Sequence, residues 1–107
     1  MKSVILGLVA ASCVCAGALA APDQQVSNAA IASHIAGKQF WLPGGVASFA
    51  KNGAYNFGGL FNGKWRVTSR SICIRFETGA QSCNKVVRNG KDLVLIDAGN
   101  GARTVLK

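Results

Sequence analysis

The residues of this chain that could carry chemistry are few and far apart. The single histidine is His34, and the four carboxylates are Asp23, Glu77, Asp92 and Asp97. A Ser-His-Asp catalytic site needs its histidine to lie close to a serine and an aspartate in the folded chain, and the spacing of these residues does not predict such proximity. Asp23 lies in a polar leader before the domain, and Glu77 lies at the end of a predicted hairpin strand. Neither has the buried setting that tunes a carboxyl group for acid–base work, so we predict no catalytic residue.

The sequence predicts no metal site and no cofactor. The run over 97–101, Asp-Ala-Gly-Asn-Gly, lacks the alternating acidic ligands and the final glutamate of a calcium loop, and a turn accounts for it. The pairs Gly44-Gly45 and Gly58-Gly59 do not open helices, which excludes phosphate loops. We interpret these two pairs as bends or bulges in a curved sheet.

The first twenty residues have the order of a secretion signal. Lys2 precedes an uncharged apolar stretch over 4–14, and small residues over 16–21 follow it, with Ala18 and Ala20 at the positions that a signal peptidase reads. The stretch is too short and too weakly flanked to predict a membrane span. We predict a signal peptide over 1–20, a polar leader over 21–26 and one β-rich domain over 27–107. The mature protein is then periplasmic or secreted, with lipid attachment at Cys13 as the minor alternative.

The cysteines that remain after cleavage are Cys73 and Cys83. An even pair in a small exported domain is typical of a disulfide rather than a metal or redox site. Both lie five residues from Thr78, the centre of a predicted hairpin. Residues opposed in this way on neighbouring strands are within disulfide reach, so we predict a disulfide across this hairpin.

The mature chain has a strong excess of positive charge. Without Lys2 it keeps eleven Lys and Arg against four Asp and Glu, a formal charge of +7. Such an excess attracts anionic partners over long range, although ordinary solubility accounts for it equally well. For an exported protein the partner would be an anionic envelope component or an acidic protein, and export argues against nucleic acid.

A candidate binding surface combines an aromatic pair with basic strand positions. Phe40 and Trp41 are adjacent in a predicted strand, so only one of them can point into the core. Lys64 and Arg66 alternate with Trp65 and Val67, which puts basic side chains on the outer face of a half-buried strand. The whole predicted surface consists of Phe40, Trp41, Lys64, Arg66, Arg75 and Lys85.

The aromatic residues also allow a stacking platform for single-stranded nucleic acid. Such a platform sets aromatic side chains beside cations. It would be made of Tyr55, Phe57, Phe61 and Trp65 with Lys51, Lys64 and Arg66. Core filling explains at least half of these aromatics, and export argues against this partner.

One helix and a series of short strands must position these residues. Ser27 predicts the N-cap of a helix over 28–36, and Gly37 its left-handed stop. From Lys38 onward, β-branched and aromatic runs are separated by Asn-Gly or similar pairs, which are hairpin signals. Strands are predicted over 39–42, 46–50, 54–57, 64–68, 72–77, 81–88, 91–96 and 103–106. Turns are predicted at 52–53, 62–63, 78–79, 89–90 and 100–101.

The alternation within the strands predicts an antiparallel meander that forms a curled sheet or a small barrel, with one short N-terminal helix at an opening. Closure is favoured because it removes exposed edges. Ile72, Ile74 and Phe76 should face the core, and Val86 joins them, while the register gives no place to Val87. The run over 91–96 is apolar on both faces, so we expect a central strand whose second side the helix covers.

The order of turn glycines, one tryptophan and a cysteine pair over 48–55, 63–67, 72–76 and 86–90 resembles small uncharacterised exported proteins of alphaproteobacteria. That resemblance implies an antiparallel β meander and brings no catalytic residues. We expect a non-enzymatic binding module for an anionic envelope component or an acidic protein. The first alternative is an inhibitor or immunity-type protein that acts on an envelope enzyme, and the second is a hydrolase that would use His34 and Asp97.

Overall fold

The computed structural model describes residues 22–107, so the predicted signal peptide and Cys13 lie outside the described residues. The elements are α1 (Asn28–Ile35), β1 (Lys38–Leu42), β2 (Gly45–Phe49), β3 (Ala54–Phe57), β4 (Phe61–Thr68), β5 (Ser71–Phe76), β6 (Gln81–Asn89), β7 (Asp92–Ile96) and β8 (Arg103–Val105). Each strand pairs antiparallel with its neighbours in the chain, and the sheet curls into a nearly closed barrel. The predicted fold class is confirmed.

The hairpin turns alternate between the two ends of this barrel. We call the end with the turns over 50–53, 69–70 and 90–91 the closed end, because α1 lies there. Asn28, the first residue of α1, accepts a hydrogen bond from the amide of Arg70 in one of these turns, at 2.7 Å. We call the other end, with the turns over 43–44, 58–60, 77–80 and 97–102, the open end.

The helix begins and ends where the sequence predicts. The Ser27 side chain accepts a hydrogen bond from the amide of Ala30 at 3.1 Å, as an N-cap does. Gly37 follows the helix in the left-handed conformation, with φ of 76°. Ile31 and Ile35 are fully buried and join the barrel core. The helix packs mainly against β1 and β4, so the expectation that it covers the second side of β7 is wrong.

The core fills the inside of the curled sheet from the closed end. It consists of Val26, Ile31, Ile35, Phe40, Ala47, Phe49, Tyr55, Ile72, Ile74, Val86, Leu93 and Leu106. The predicted inward positions of Ile72, Ile74 and Val86 are therefore confirmed, and Phe76 packs against the same cluster. Val87 is buried on the outer face, directly opposite Val94 of β7. This cross-strand pair explains a residue that the alternation alone could not place.

One predicted turn is wrong. Asn62 and Gly63 lie inside β4, where Gly63 is directly opposite Phe76 of β5. A Cβ atom on Gly63 would overlap the backbone carbonyl of Arg75, so the glycine allows a close approach of two strands rather than a turn. The sequence pair is the same in both settings, and only the partner strand distinguishes them.

The connection between β3 and β4 lies earlier, at the glycine pair that the sequence assigned to a bend or bulge. Gly58 and Gly59 have φ of 62° and 75°, and the amide of Leu60 donates to the carbonyl of Phe57 at 3.1 Å. Gly44, with φ of 94°, likewise lies in the turn between β1 and β2. Both glycine pairs therefore contribute to hairpin turns.

Residues before the helix also belong to the folded structure. Gln24 forms an isolated antiparallel bridge to Arg88, with amide-to-carbonyl distances of 2.8 and 2.9 Å. Val26 is buried in the core. Part of the segment that the sequence describes as a polar leader is thus held against β6.

The hairpin of β5 and β6 has the predicted register. Cys73 and Cys83 are directly opposed, with 4.0 Å between their Cα atoms, and form a disulfide. The strands pair symmetrically about Thr78, as Arg75 opposite Gln81 also shows. Within residues 22–107, no helix has the length and apolar character needed to cross a membrane.

Candidate binding surfaces

Four of the predicted surface residues share the outer face of three neighbouring strands. Lys64 and Arg66 are on β4, Arg75 is on β5 and Lys85 is on β6. Arg66 is paired with Cys73, and the other three residues each lie two positions along a strand from Arg66, Cys73 or Cys83. Because side chains alternate between the two faces of a strand, all four leave the sheet on the same side as the disulfide. We call these four residues the basic face.

The register brings two of these cations directly opposite each other. Lys64 of β4 pairs with Arg75 of β5, and Arg66 pairs with Cys73. Like charges placed opposite each other in this way destabilise a sheet. Among residues 22–107 the only ion pair joins Asp23 to Arg103, so no carboxylate of this part of the chain neutralises the basic face.

The aromatic pair divides between core and surface. The Phe40 side chain is 3% exposed, and its ring stacks on that of His34 with 5.7 Å between centroids. Phe40 therefore does not belong to the binding surface, because β1 turns it inward against the helix. Trp41 is 76% exposed on the outer face of β1. Two strands separate β1 from β4, so Trp41 is not continuous with the basic face.

The proposed aromatic platform for nucleic acid is not assembled. Tyr55 and Trp65 face the barrel interior, and the Trp65 Nε1 donates to the carbonyl of Ala50 at 2.7 Å. Lys64 and Arg66 leave β4 on the opposite side of the sheet. Aromatic and basic side chains at adjacent positions of a β-strand lie on opposite faces of the sheet. They therefore cannot bind the same single-stranded nucleic acid together.

His34 and Asp97 lie at opposite ends of the barrel. The His34 Nε2 is 3.1 Å from the carbonyl oxygen of Leu106, whose own amide donates to Leu93 of β7. Asp97 is four residues further along from Leu93, which corresponds to about 13 Å of strand. The Asp97 carboxylate accepts from the amides of Gly99 and Asn100 and so holds the turn before β8. The structure does not bring these two residues into one site.

The open end contains a feature that the sequence analysis did not identify, a pair of adjoining cavities. The larger has a volume of about 460 Å³ and is lined by Tyr55, Phe57, Leu60, Phe61, Asn62, Phe76, Glu77, Thr78 and Ala80. The second has about 310 Å³ and is lined by Leu42, Pro43, Tyr55, Phe57, Asn84, Leu95, Asp97, Asn100, Ala102 and Thr104. Tyr55 and Phe57 line both cavities. The signal available in the sequence was the alternation of Tyr55 and Phe57 next to the apolar turn residue Leu60.

Tyr55 is the central residue of this end. Its side chain contacts Phe49 and Phe76 edge to face, with ring centroids 5.2 and 6.0 Å away. Burial raises the pKa of its phenol, because the charged form would lose its solvation. The hydroxyl forms no hydrogen bond with any residue of the described range.

No group of three or more His, Cys, Asp and Glu side chains in residues 22–107 is arranged to hold a metal ion. Comparison of the chain with protein-family models, curated proteins and solved structures found no match.

Proposed function

We propose that this protein is an exported, non-enzymatic binding module that holds an anionic component of the cell envelope on its basic face. The observation that carries the proposal is the direct opposition of Lys64 and Arg75 on neighbouring strands. Two unpaired cations at one cross-strand position weaken the sheet. An anion bound between Lys64 and Arg75 would offset this repulsion, because both cations are attracted to it.

The chemistry of the basic face suits phosphate or carboxylate groups. Arg66 and Arg75 can each donate two parallel hydrogen bonds to such a group, while Lys64 and Lys85 add point charges. All four belong to strands of one sheet, and the disulfide joins the two strands that carry Arg75 and Lys85. The ligand would meet a surface that is already ordered, which lowers the entropic cost of binding.

Location supports an envelope ligand. The N-terminal sequence has the order of a secretion signal, and a disulfide persists in oxidising compartments outside the cytoplasm. Each Lys or Arg near an anionic membrane contributes about 1 kcal/mol of attraction, so four of them give roughly millimolar binding that salt weakens.

The test is sedimentation of the mature protein with phosphatidylcholine vesicles that do or do not contain phosphatidylglycerol. We expect binding only to the anionic vesicles, and we expect added salt to release it. The variant Lys64→Glu/Arg75→Glu should bind about thirtyfold less tightly or worse, because it removes two contributions of about 1 kcal/mol each and adds repulsion.

The matched control is Lys91→Glu/Lys107→Glu, which changes net charge equally at exposed positions away from the basic face. This control should retain most of the binding. Equal losses in the two variants would contradict a defined site and leave only the net charge as the cause. A stoichiometric complex with an envelope enzyme that survives the Lys64→Glu/Arg75→Glu change would instead support the inhibitor or immunity-type alternative.

A further inference from the structure

We propose that the open end of the barrel binds a small, neutral, apolar molecule that carries one hydrogen-bonding group. This site uses residues inside the barrel, so it is separate from the basic face on the outside. Three independent features support it: the size and lining of the cavity, an unpaired hydroxyl within it, and the distribution of charge around it.

The larger cavity has the dimensions and the walls of a ligand site. Its volume of about 460 Å³ lies within the range of roughly 300–1,000 Å³ that small-molecule pockets occupy. Rings of Tyr55, Phe57 and Phe76 form the wall. At the mouth, Leu60 is 79% exposed and Phe61 is 55% exposed. Large apolar side chains left in water beside an apolar cavity gain stability when a ligand covers them.

The unpaired hydroxyl belongs to Tyr55. The residue is only 8% exposed, yet its hydroxyl has no hydrogen-bond partner among residues 22–107. A buried hydroxyl without a partner destabilises the fold, and buried tyrosines ordinarily have one. Tyr55 borders both cavities, so a ligand in either could supply the missing partner. This requirement is why the ligand needs one polar group.

The charge at this end is opposite to that of the whole domain. Glu77 lines the larger cavity and Asp97 the second, while neither lining includes a lysine or arginine. An anionic head group placed in either cavity would meet a carboxylate, which repels it. The carboxylates therefore exclude an anionic ligand, and the charge of +7 on the mature protein disfavours the approach of a cationic one, which leaves a neutral ligand.

A pair of fluorescent probes tests these features together. N-Phenyl-1-naphthylamine is neutral, has three fused or linked rings and carries a single N–H that the Tyr55 oxygen can accept. Anilinonaphthalene sulfonate has the same rings with an added negative charge. We expect the neutral probe to bind the mature protein saturably, at one probe per chain, with a blue-shifted emission. The sulfonated probe should bind at least tenfold more weakly.

Two variants and one control locate the probe. Ala80→Trp places an indole in the cavity lining and should abolish binding of the neutral probe. Tyr55→Phe removes only the hydroxyl and should weaken binding about three- to tenfold, the usual value of one neutral hydrogen bond. Trp41→Ala removes the exposed indole outside the cavity and should leave the affinity unchanged. Thermal unfolding of each variant verifies that it is folded.

The result that overturns the proposal is a neutral probe that does not saturate, or whose affinity survives Ala80→Trp in a folded variant. Unchanged affinity in Tyr55→Phe would overturn the hydrogen-bonded placement. Tighter binding of the sulfonated probe, lost on Lys64→Glu/Arg75→Glu, would show that the probes detect the basic face instead. A negative result with the probes would not contradict the proposed binding to anionic vesicles, because the cavity and the basic face share no residue.

Discussion

At the scale of single residues, the Asp23–Arg103 pair ties the start of the fold to its last strand. The Arg103 guanidinium donates two hydrogen bonds to the Asp23 carboxylate, at 2.7 and 2.8 Å, and Asn89 donates a third at 3.1 Å. These groups lower the pKa of Asp23 to about 2, mainly through the hydrogen bond from Arg103 and then through that from Asn89. Arginine and carboxylate meet here in the two-point geometry that is strongest for this pair.

The pair predicts a specific pH dependence of stability. The pKa of Asp23 is lower in the folded chain than its unfolded value of about 3.9, so the folded state favours the charged form. The stabilisation is complete above pH 5 or so, falls as the pH drops from about 4 to about 2, and is absent below that. The variant Asp23→Asn should therefore melt at a lower temperature than wild type at neutral pH, and the two should converge near pH 2.

The measurement is a series of melting curves across this pH range. Glu77→Gln is the matched control, since it removes one exposed carboxylate at the open end of the barrel, away from the ion pair. Its difference from wild type should not show the same convergence between pH 4 and pH 2. A melting difference for Asp23→Asn that stays constant down to pH 2 would contradict the role of this carboxylate.

At the scale of elements, the hairpin of β5 and β6 carries the covalent constraint. We expect Cys73→Ser/Cys83→Ser to remove about 2–3 kcal/mol of stability, because the disulfide closes a short loop in the unfolded chain. The melting temperature should fall by about 8–20 °C in a domain of this size. The cold fold should persist, since seven hairpins and the buried core specify it independently.

Wild-type protein with its disulfide reduced is the control for this variant and should melt at a similar temperature. Two free thiols detected by mass in the exported protein would contradict the pairing. No change in melting temperature on replacement would contradict the stabilising role.

Local sequence pattern predicts the strands of this protein better than it predicts the turns between them. All eight predicted strands are present, with lengths of three to nine residues, because alternation of apolar and polar residues is a strong local signal. The pair Asn62-Gly63 predicted a turn and lies in a strand, while Gly58-Gly59 predicted a bulge and forms a turn. Ser69 and Arg70 form a hairpin turn with φ of 51° and 58° although neither is a glycine. Turn positions depend on which strand register buries the most apolar surface, and a local pair cannot report that.

At the scale of the whole molecule, the arrangement of charge separates two surfaces. The basic face lies outside on β4, β5 and β6, while Glu77 and Asp97 lie at the open end. A curled sheet produces this separation because successive residues of each strand point alternately inward and outward. The two proposed ligands, an anion outside and a neutral apolar molecule inside, therefore do not compete.

Processing is the prediction for the whole molecule. The exported protein should begin at Ala21 and lack Lys2, Cys13 and Cys15, because small residues occupy the positions that a signal peptidase reads. Intact mass of the protein recovered from the periplasm or medium decides it. A mass excess equal to a diacylglycerol group on Cys13 would contradict cleavage after Ala20 and show a lipid anchor.

The sequence by itself determined the antiparallel meander, the helix and its caps, the cysteine pairing and the inward positions of Ile72, Ile74 and Val86. Each of these depends on neighbours within a few residues or on symmetry about one turn, so short-range pattern is sufficient. It also predicted four outward cations, and the register of β4, β5 and β6 then placed Lys64 directly against Arg75.

Only the tertiary structure decided that Phe40 rather than Trp41 turns inward, that Asp23 meets Arg103 across a separation of 80 residues, and that His34 and Asp97 stay apart. The sequence also did not predict the cavities at the open end. They arise where strands far apart in the chain, β3, β5 and β7, curl around space that the single helix fills only at the other end. These packing contacts join residues that are far apart in the chain, so they depend on the curled sheet as a whole and no local segment of the sequence predicts them.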